Sequence, residues 1–274
     1  MIRRHFSISP LYVFDSFLQH RGLIWQLIRR DIEIRYRGSV MGLLWSMLNP
    51  ILMLSVYTFA FGFMLKSRWG EGVETQTDFA IILFAGLIVH GWFAECLNRA
   101  PGLILGNVNY VKKVIFPLEI LPWVAMGSAL FHTAISLTVL IVFFALVHFY
   151  VQWTLIFLPL IFLPLLFLIM GFSWMLAAIG VYLRDVGQTI VIVTVVLMFL
   201  GPIFYPLTRL PENYRWLFYL NPLTVVVEQT RAVAIWGKTP GWTQLAIYYG
   251  VSLGIAWAGL IVFQKLRKGF ADVI

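Results

Sequence analysis

The sequence predicts an all-α membrane protein: six transmembrane helices, an N-terminal amphipathic interface helix, and re-entrant outer helices between spans five and six. Three observations carry that expectation. Apolar stretches at residues 40–65, 79–97, 121–147, 154–183, 189–207 and 245–263 reach or nearly reach the roughly 20 residues that cross a hydrocarbon core of about 30 Å. Hydrophobic residues form 61% of the chain and charged residues only 12%, about half the charge of an ordinary soluble domain. With the N-terminus inside, 14 of the 20 lysines and arginines fall on inside segments and 6 on outside ones, which favours both termini in the cytoplasm. Residues 1–274 then form a single membrane domain.

The first ten residues lack the apolar core of a cleavable signal peptide, so the first span is expected to act as the insertion signal. Residues 22–37 read as an amphipathic helix at the inner surface. Trp25, Ile28, Ile32 and Tyr36 share one face, and Gln26, Arg29, Arg30, Glu33 and Arg37 share the other. Asp31 and Arg35 interrupt the apolar side four residues apart and are expected to pair with each other. Such a helix is either a lipid anchor or a docking surface for a cytoplasmic partner.

Span one contains Asn49-Pro50, which predicts a kink. Gly38 and Gly42 at its start, like Gly250 and Gly254 in span six, have the spacing that permits close helix contact. The inside segment from Asn98 to Pro122 is longer than a plain turn needs and predicts a short helix near residues 101–108, with a docked partner. Glu95 and Arg99, four apart at the inner end of span two, are expected to pair. Span four carries Pro159 and Pro164 and should bend. Span five ends in Gly201-Pro202-Ile203-Phe204-Tyr205-Pro206, which breaks the helix near the outer surface. Residues 208–238 mix aromatic and aliphatic residues with Arg215, Glu228 and Arg231, and Asn221-Pro222 splits them. Two short helices dipping into the outer leaflet fit that pattern. Broken backbone at membrane depth needs protein or a water-filled cavity around it, so the segment points to a pathway.

No catalytic constellation is present. His5, His20, His90, His132 and His148 are scattered and form no metal-ligand spacing. His90 and His132 lie within spans, where an ionisable residue is either functional or bonded to a neighbouring helix. Gly237-Lys238-Thr239 resembles the tail of a phosphate-binding loop, but Ala232 stands where the first glycine is required. The net charge of +8 is that of basic loops against anionic headgroups rather than of a nucleic-acid surface. The single Cys96 excludes an intrachain disulfide. Trp25, Trp69, Trp153, Trp216 and Trp242 sit near span ends, as interfacial belts do. Trp45, Trp92, Trp174, Tyr57 and Tyr182 lie deeper or at inner ends, and suit either sugar surfaces or helix packing.

Taken in order, several segments resemble the transmembrane subunit of ABC-2 type exporters, in particular permeases for O-antigen and capsular polysaccharide. They are Arg35-Tyr36-Arg37-Gly38-Ser39 with Gly42, Leu44-Trp45 and Asn49-Pro50; the run from Lys113 to Pro122; Leu183-Arg184-Asp185-Val186; Pro202-Ile203-Phe204-Tyr205-Pro206; and Asn221-Pro222-Leu223. The likeness covers residue 12 to the C-terminus. It implies a homodimer in a bacterial inner membrane, joined by two separate ATPase subunits that hold ATP and magnesium. This chain binds no cofactor and no metal. The cargo is a polysaccharide, lipid-linked in such systems; teichoic acid or lipid are alternatives within the family, and a membrane-embedded acyltransferase is the alternative outside it.

The resemblance also assigns roles. The interface helix contributes Arg29, Arg30, Asp31, Glu33 and Arg35. The ATPase-coupling segment, about residues 99–113, contributes Arg99, Leu103, Asn107, Lys112 and Lys113. The outer gate contributes Trp216, Asn221, Pro222, Glu228 and Arg231. Spans one and five line the path, through Trp45, Asn49, Phe59 and Phe63 opposite Met198 and Tyr205. At about 100° per residue the four residues of span one share a sector of roughly 80°.

Overall fold

The computed structural model describes residues 10–60, 76–112, 116–209 and 211–273. Among them there is no strand. Four helical stretches, Thr77–Gly102, Leu118–His148, Trp153–Tyr182 and Trp242–Val273, are long and apolar enough to cross a membrane. Two shorter apolar helices, Leu44–Ala60 and Val186–Phe199, accompany them. At about 1.5 Å per residue, the 14 residues of Val186–Phe199 span roughly 21 Å, short of a full crossing. Residues 61–65, the last five of predicted span one, fall outside the described residues.

Helix α1 (Pro10–Tyr36) begins well before the predicted interface helix. Its buried face is Ile24 and Leu27, packed with Ile120 and Val124, while Trp25 is 69% exposed. The apolar face is therefore turned by about one residue step, some 100°, from the expected one. Ile28 helps fix the rotation, because its side chain lies over Gly127 of α5 (Leu121–His148), where any Cβ would collide with it. Gly38 and Gly42 both have positive φ and nothing close to them. They turn the chain from α1 into α2 (Leu44–Tyr57) and do not form the expected helix contact.

Helix α3 (Gln76–Arg99) is the most enclosed span. With α5, α6 (Leu158–Tyr182) and α10 (Trp242–Leu266) it encloses a core that includes Trp92, Phe93, Ile161, Leu165, Trp174 and Phe263. The close crossing of α6 and α10 uses Gly171 and Gly259: a Cβ on Gly259 would stand 2.0 Å from the Gly171 carbonyl oxygen. Gly250 and Gly254, the expected contact residues, face open space. Pro159 sits in the first turn of α6, where its missing N–H costs nothing, and Pro164 lies inside the helix. Where the end of α5 meets the start of α3, His148 meets Asp78 at 3.0 Å.

After α7 (Val186–Phe199) the chain breaks as predicted, and residues 200–206 form no helix. Two short helices follow, α8 (Glu212–Tyr219) and α9 (Thr224–Ala234), joined at Asn221-Pro222. The joint is pinned: the Asn221 amide donates to Leu197 O at 2.7 Å, and its oxygen accepts from the Leu223 N–H at 2.9 Å. Helix α8 buries no residue, whereas α9 is largely buried. Short turns and α4 (Val108–Lys112) link α3 to α5, in place of the single short helix expected near residues 101–108. A short helix α11 (Phe270–Val273) ends the described chain. Within one chain, α2 and α7 leave broad apolar surfaces uncovered, including Leu52, Val56, Ile192 and Val196.

Candidate functional site: a polar chamber and an arginine clasp

A chamber of about 360 Å³ opens between the end of α1, the inner part of α2, and the facing sides of α3 and α5. Helix α2 contributes Trp45, Ser46, Asn49 and Tyr57; α3 contributes His90, Trp92 and Glu95; α5 contributes His132, Thr133 and Ser136. Arg35 and Tyr36 line it from the end of α1. Polar side chains at this depth are costly unless paired, and most of these are. Ser136 donates to His132 O at 3.0 Å and Thr133 to Ala129 O at 2.9 Å. His90 Nε2 meets Thr194 O of α7 at 2.9 Å. The Tyr36 hydroxyl meets His132 Nδ1 at 3.2 Å. Both intramembrane histidines are thus bonded to a neighbouring helix. Burial pushes the Tyr36 hydroxyl above its ordinary pKa, so it stays protonated.

A four-charge cluster borders the chamber and corrects the expected pairing on α1. Asp31 and Arg35 do not pair with each other. Arg99 Nη2 donates to both Asp31 oxygens, at 2.9 and 2.8 Å, and Arg35 donates to Glu95. The expected Glu95–Arg99 contact is present but long, at 3.9 Å. All four residues face the seam between α1 and α3, so each charge finds a better partner across it than along its own helix. The far side of α1 is wet: Arg29 pairs with Glu33 at 2.8 Å, both exposed, and Arg30 donates to Tyr110 at 3.1 Å.

Beyond the chamber, toward the start of α3, Arg231 is fully buried. Its guanidinium lies over Gly86 and donates to Ile82 O of α3 at 2.9 Å, to Ile203 O at 3.0 Å and to Pro202 O. Glu228, one turn earlier on α9, accepts at 3.2 Å. The expected Glu228–Arg231 pair exists, but the three carbonyls are the larger fact. The break at Pro202 frees main-chain oxygens, and the planar fork of one arginine reaches them together with α3.

These features sit on a chain whose residues 22–235 match the model of the ABC-2 type transporter family. The chain belongs to the ABC-2 type transporter family. Similar curated proteins include an O-antigen export system permease protein, RfbA, of Myxococcus xanthus, 28% identical over 93% of this chain and 96% of that protein. An RfbA of Klebsiella pneumoniae is 24% identical over 96% of each. The polysialic acid transport protein KpsM of Escherichia coli is 26% identical over 93% of this chain and 97% of its own length.

In this ABC-2 chain the residues expected along the path are only partly brought together. Trp45 and Asn49 line the chamber. Phe59, two residues past the end of α2, is exposed, and Phe63 lies outside the described residues. Met198 packs near Ile203 and Phe204, and the Tyr205 hydroxyl donates to Phe199 O at 2.6 Å. Of the coupling residues, Arg99 is engaged with Asp31, Leu103 packs partly against the core, and the Asn107 amide donates to Leu103 O at 2.9 Å. Lys112 is exposed, and Lys113 lies outside the described residues. On the segment of α8 and α9 Trp216 is exposed, whereas Asn221 is buried at the joint that Pro222 follows. Glu95 and His132 were not singled out for the chamber; the signal for them was the presence of ionisable residues at membrane depth. Among the described residues no cluster of metal-ligating side chains occurs.

Proposed function

We propose that this chain is the channel-forming permease subunit of an ATP-driven exporter, which carries a lipid-linked polysaccharide such as O-antigen across a bacterial inner membrane. The observation that carries this reading is the likeness, over more than nine-tenths of both chains, to permeases named for O-antigen export and polysialic acid transport. In this reading the molecule is a homodimer with six spans per protomer and both termini in the cytoplasm. The uncovered apolar surfaces of α2 and α7 support a second copy beside them.

A separate ATPase subunit on each protomer binds ATP and magnesium. The segment from Arg99 to Lys112 meets it from the inside. The Asp31–Arg99 and Arg35–Glu95 contacts support a direct mechanical link, because they tie the interface helix to the residues that open that segment. Movement of the ATPase then shifts α1 and α3 as one body against the chamber. On the outer side α8 and α9 form a re-entrant gate. Its hinge is the break at residues 200–206, and its clasp is Arg231. The chain itself performs no chemistry and serves as a path.

Deletion of the gene in its host tests the reading. Surface polysaccharide should fall to background while the same polymer accumulates inside, and the intact gene in trans should restore export. Unchanged surface polymer, with a lipid species missing from the outer leaflet instead, would assign the chain a lipid cargo.

A further inference from the structure

Two buried hydrogen-bonding groups around the inner chamber have no protein partner among the described residues, the indole N–H of Trp92 and Nε2 of His132, and the exposed side-chain amide of Asn49 lines the same chamber. Trp92 is only 2% exposed. A buried polar group without a partner is expensive, and such groups in a folded protein call for an explanation. Two at the wall of one chamber have a common one: a ligand that hydrogen-bonds there. The Tyr36 hydroxyl occupies His132 Nδ1 at 3.2 Å, which leaves Nε2 to face the chamber as a donor or an acceptor according to the tautomer. Asn49 offers both a donor and an acceptor. The hydroxyls of Ser136 and Thr133 donate to their own helix and keep lone pairs free to accept.

Charge narrows the ligand further. Arg35 is matched by Glu95 and Arg99 by Asp31, so among the described lining residues no arginine or lysine is left without a carboxylate to attract a phosphate or another anion. Mixed donors and acceptors with the flat face of Trp45 beside them describe a neutral, hydroxyl-rich ring. The volume of about 360 Å³ lies within the range of small-molecule sites.

We propose that this chamber, within a single protomer, is a station for one neutral sugar residue of the exported chain, held by Trp92, His132 and Asn49 against Trp45, and that it rejects free phosphate. The proposal rests on the polysaccharide reading above. It adds that sugar hydroxyls are handled at the inner end of each protomer as well as between protomers.

The reporter is Ser136→Cys in a Cys96→Ala background, in the complete exporter reconstituted in lipid nanodiscs, with the rate of maleimide labelling as the readout. Two probes are compared: neutral oligosaccharides from mild hydrolysis of the host's polymer, and inorganic pyrophosphate. The expected result is slower labelling with the oligosaccharides and no change with pyrophosphate. Trp92→Phe removes the N–H and keeps the ring. It should raise the oligosaccharide concentration needed for protection roughly tenfold, the scale of one buried hydrogen bond. Protection by pyrophosphate, or none by either probe, overturns the proposal. So does protection that Trp92→Phe leaves unchanged while raising thermal stability, since the N–H would then be a packing defect. Export is measured in the parent cells alongside. Normal export without protection at Ser136→Cys sinks the station and leaves the export reading standing.

Discussion

Arg231→Met should loosen the outer end of the protein more than any other single change on α9. Methionine matches the arginine stem in length and supplies no donor. In the parent, Arg231 is fully buried and donates to the carbonyls of Ile82, Pro202 and Ile203 as well as to Glu228. An acceptor left unpaired in the interior costs about 1–3 kcal/mol, so three of them set an upper limit near 9 kcal/mol. Backbone at a chain break relaxes and admits water, and Glu228 is a third exposed and contributes little once alone. Removing one side of a buried pair costs about 3–5 kcal/mol in total, and a loss of about 4 kcal/mol is the working value. At roughly 2–4 °C per kcal/mol, the thermal midpoint falls by about 10 °C. Arg231→Lys keeps the charge, but one ammonium cannot serve carbonyls on two elements in the arginine geometry, and it should fall between the two. Glu228→Gln should stay close to the parent. The assay is thermal unfolding of the purified protein in detergent, with proteolysis between residues 200 and 211 as a local readout. An Arg231→Met protein that unfolds at the parental temperature and resists cleavage equally would refute the clasp.

The remaining predictions are smaller in scope. Gly259→Ala places a Cβ 2.0 Å from the Gly171 carbonyl oxygen and should cost about 1–3 kcal/mol in thermal unfolding, while Gly254→Ala, in open space, should cost nothing of the kind. A double-mutant cycle on Asp31 and Arg99 should return a coupling of about 1 kcal/mol, since both are a third exposed, and one on Asp31 and Arg35 should return almost none. Leu103→Asp should separate ATP hydrolysis from export in the assembled transporter with helix content unchanged by circular dichroism; normal export by that variant would remove the coupling assignment.

Hydropathy made the long helices legible because membrane segments write their length and apolarity into consecutive residues. The starts and ends of α3, α5, α6 and α10 fall within a few residues of the expected spans. The break at Gly201-Pro202 and the joint at Asn221-Pro222 were legible for the same local reason: proline removes a donor wherever it stands. What failed were judgements about partners. Asp31 and Arg35 looked like intruders on an apolar face, so they were paired with each other. They are in fact the inward charges of α1, and Glu95 and Arg99, 60 and 68 residues away, complete them. The glycine spacing that invited contact at Gly250 and Gly254 lost to Gly171 and Gly259, whose relation exists only once α6 and α10 cross. Arg231 was read through its neighbour Glu228, because no spacing rule reports the carbonyls of a distant chain break. In the chamber, Trp45 and Asn49 were visible as one helix face, but His132 and Trp92 join them only through folding.

Inverted inner-membrane vesicles from the host offer the most direct measurement, because they turn export into uptake. Vesicles carrying this chain and its ATPase should accumulate protease-protected, lipid-linked polysaccharide in their lumen when ATP is added, and none without ATP. Vesicles from a strain lacking this chain should accumulate none under either condition. Equal lumenal polymer with and without the chain would contradict the account at its centre.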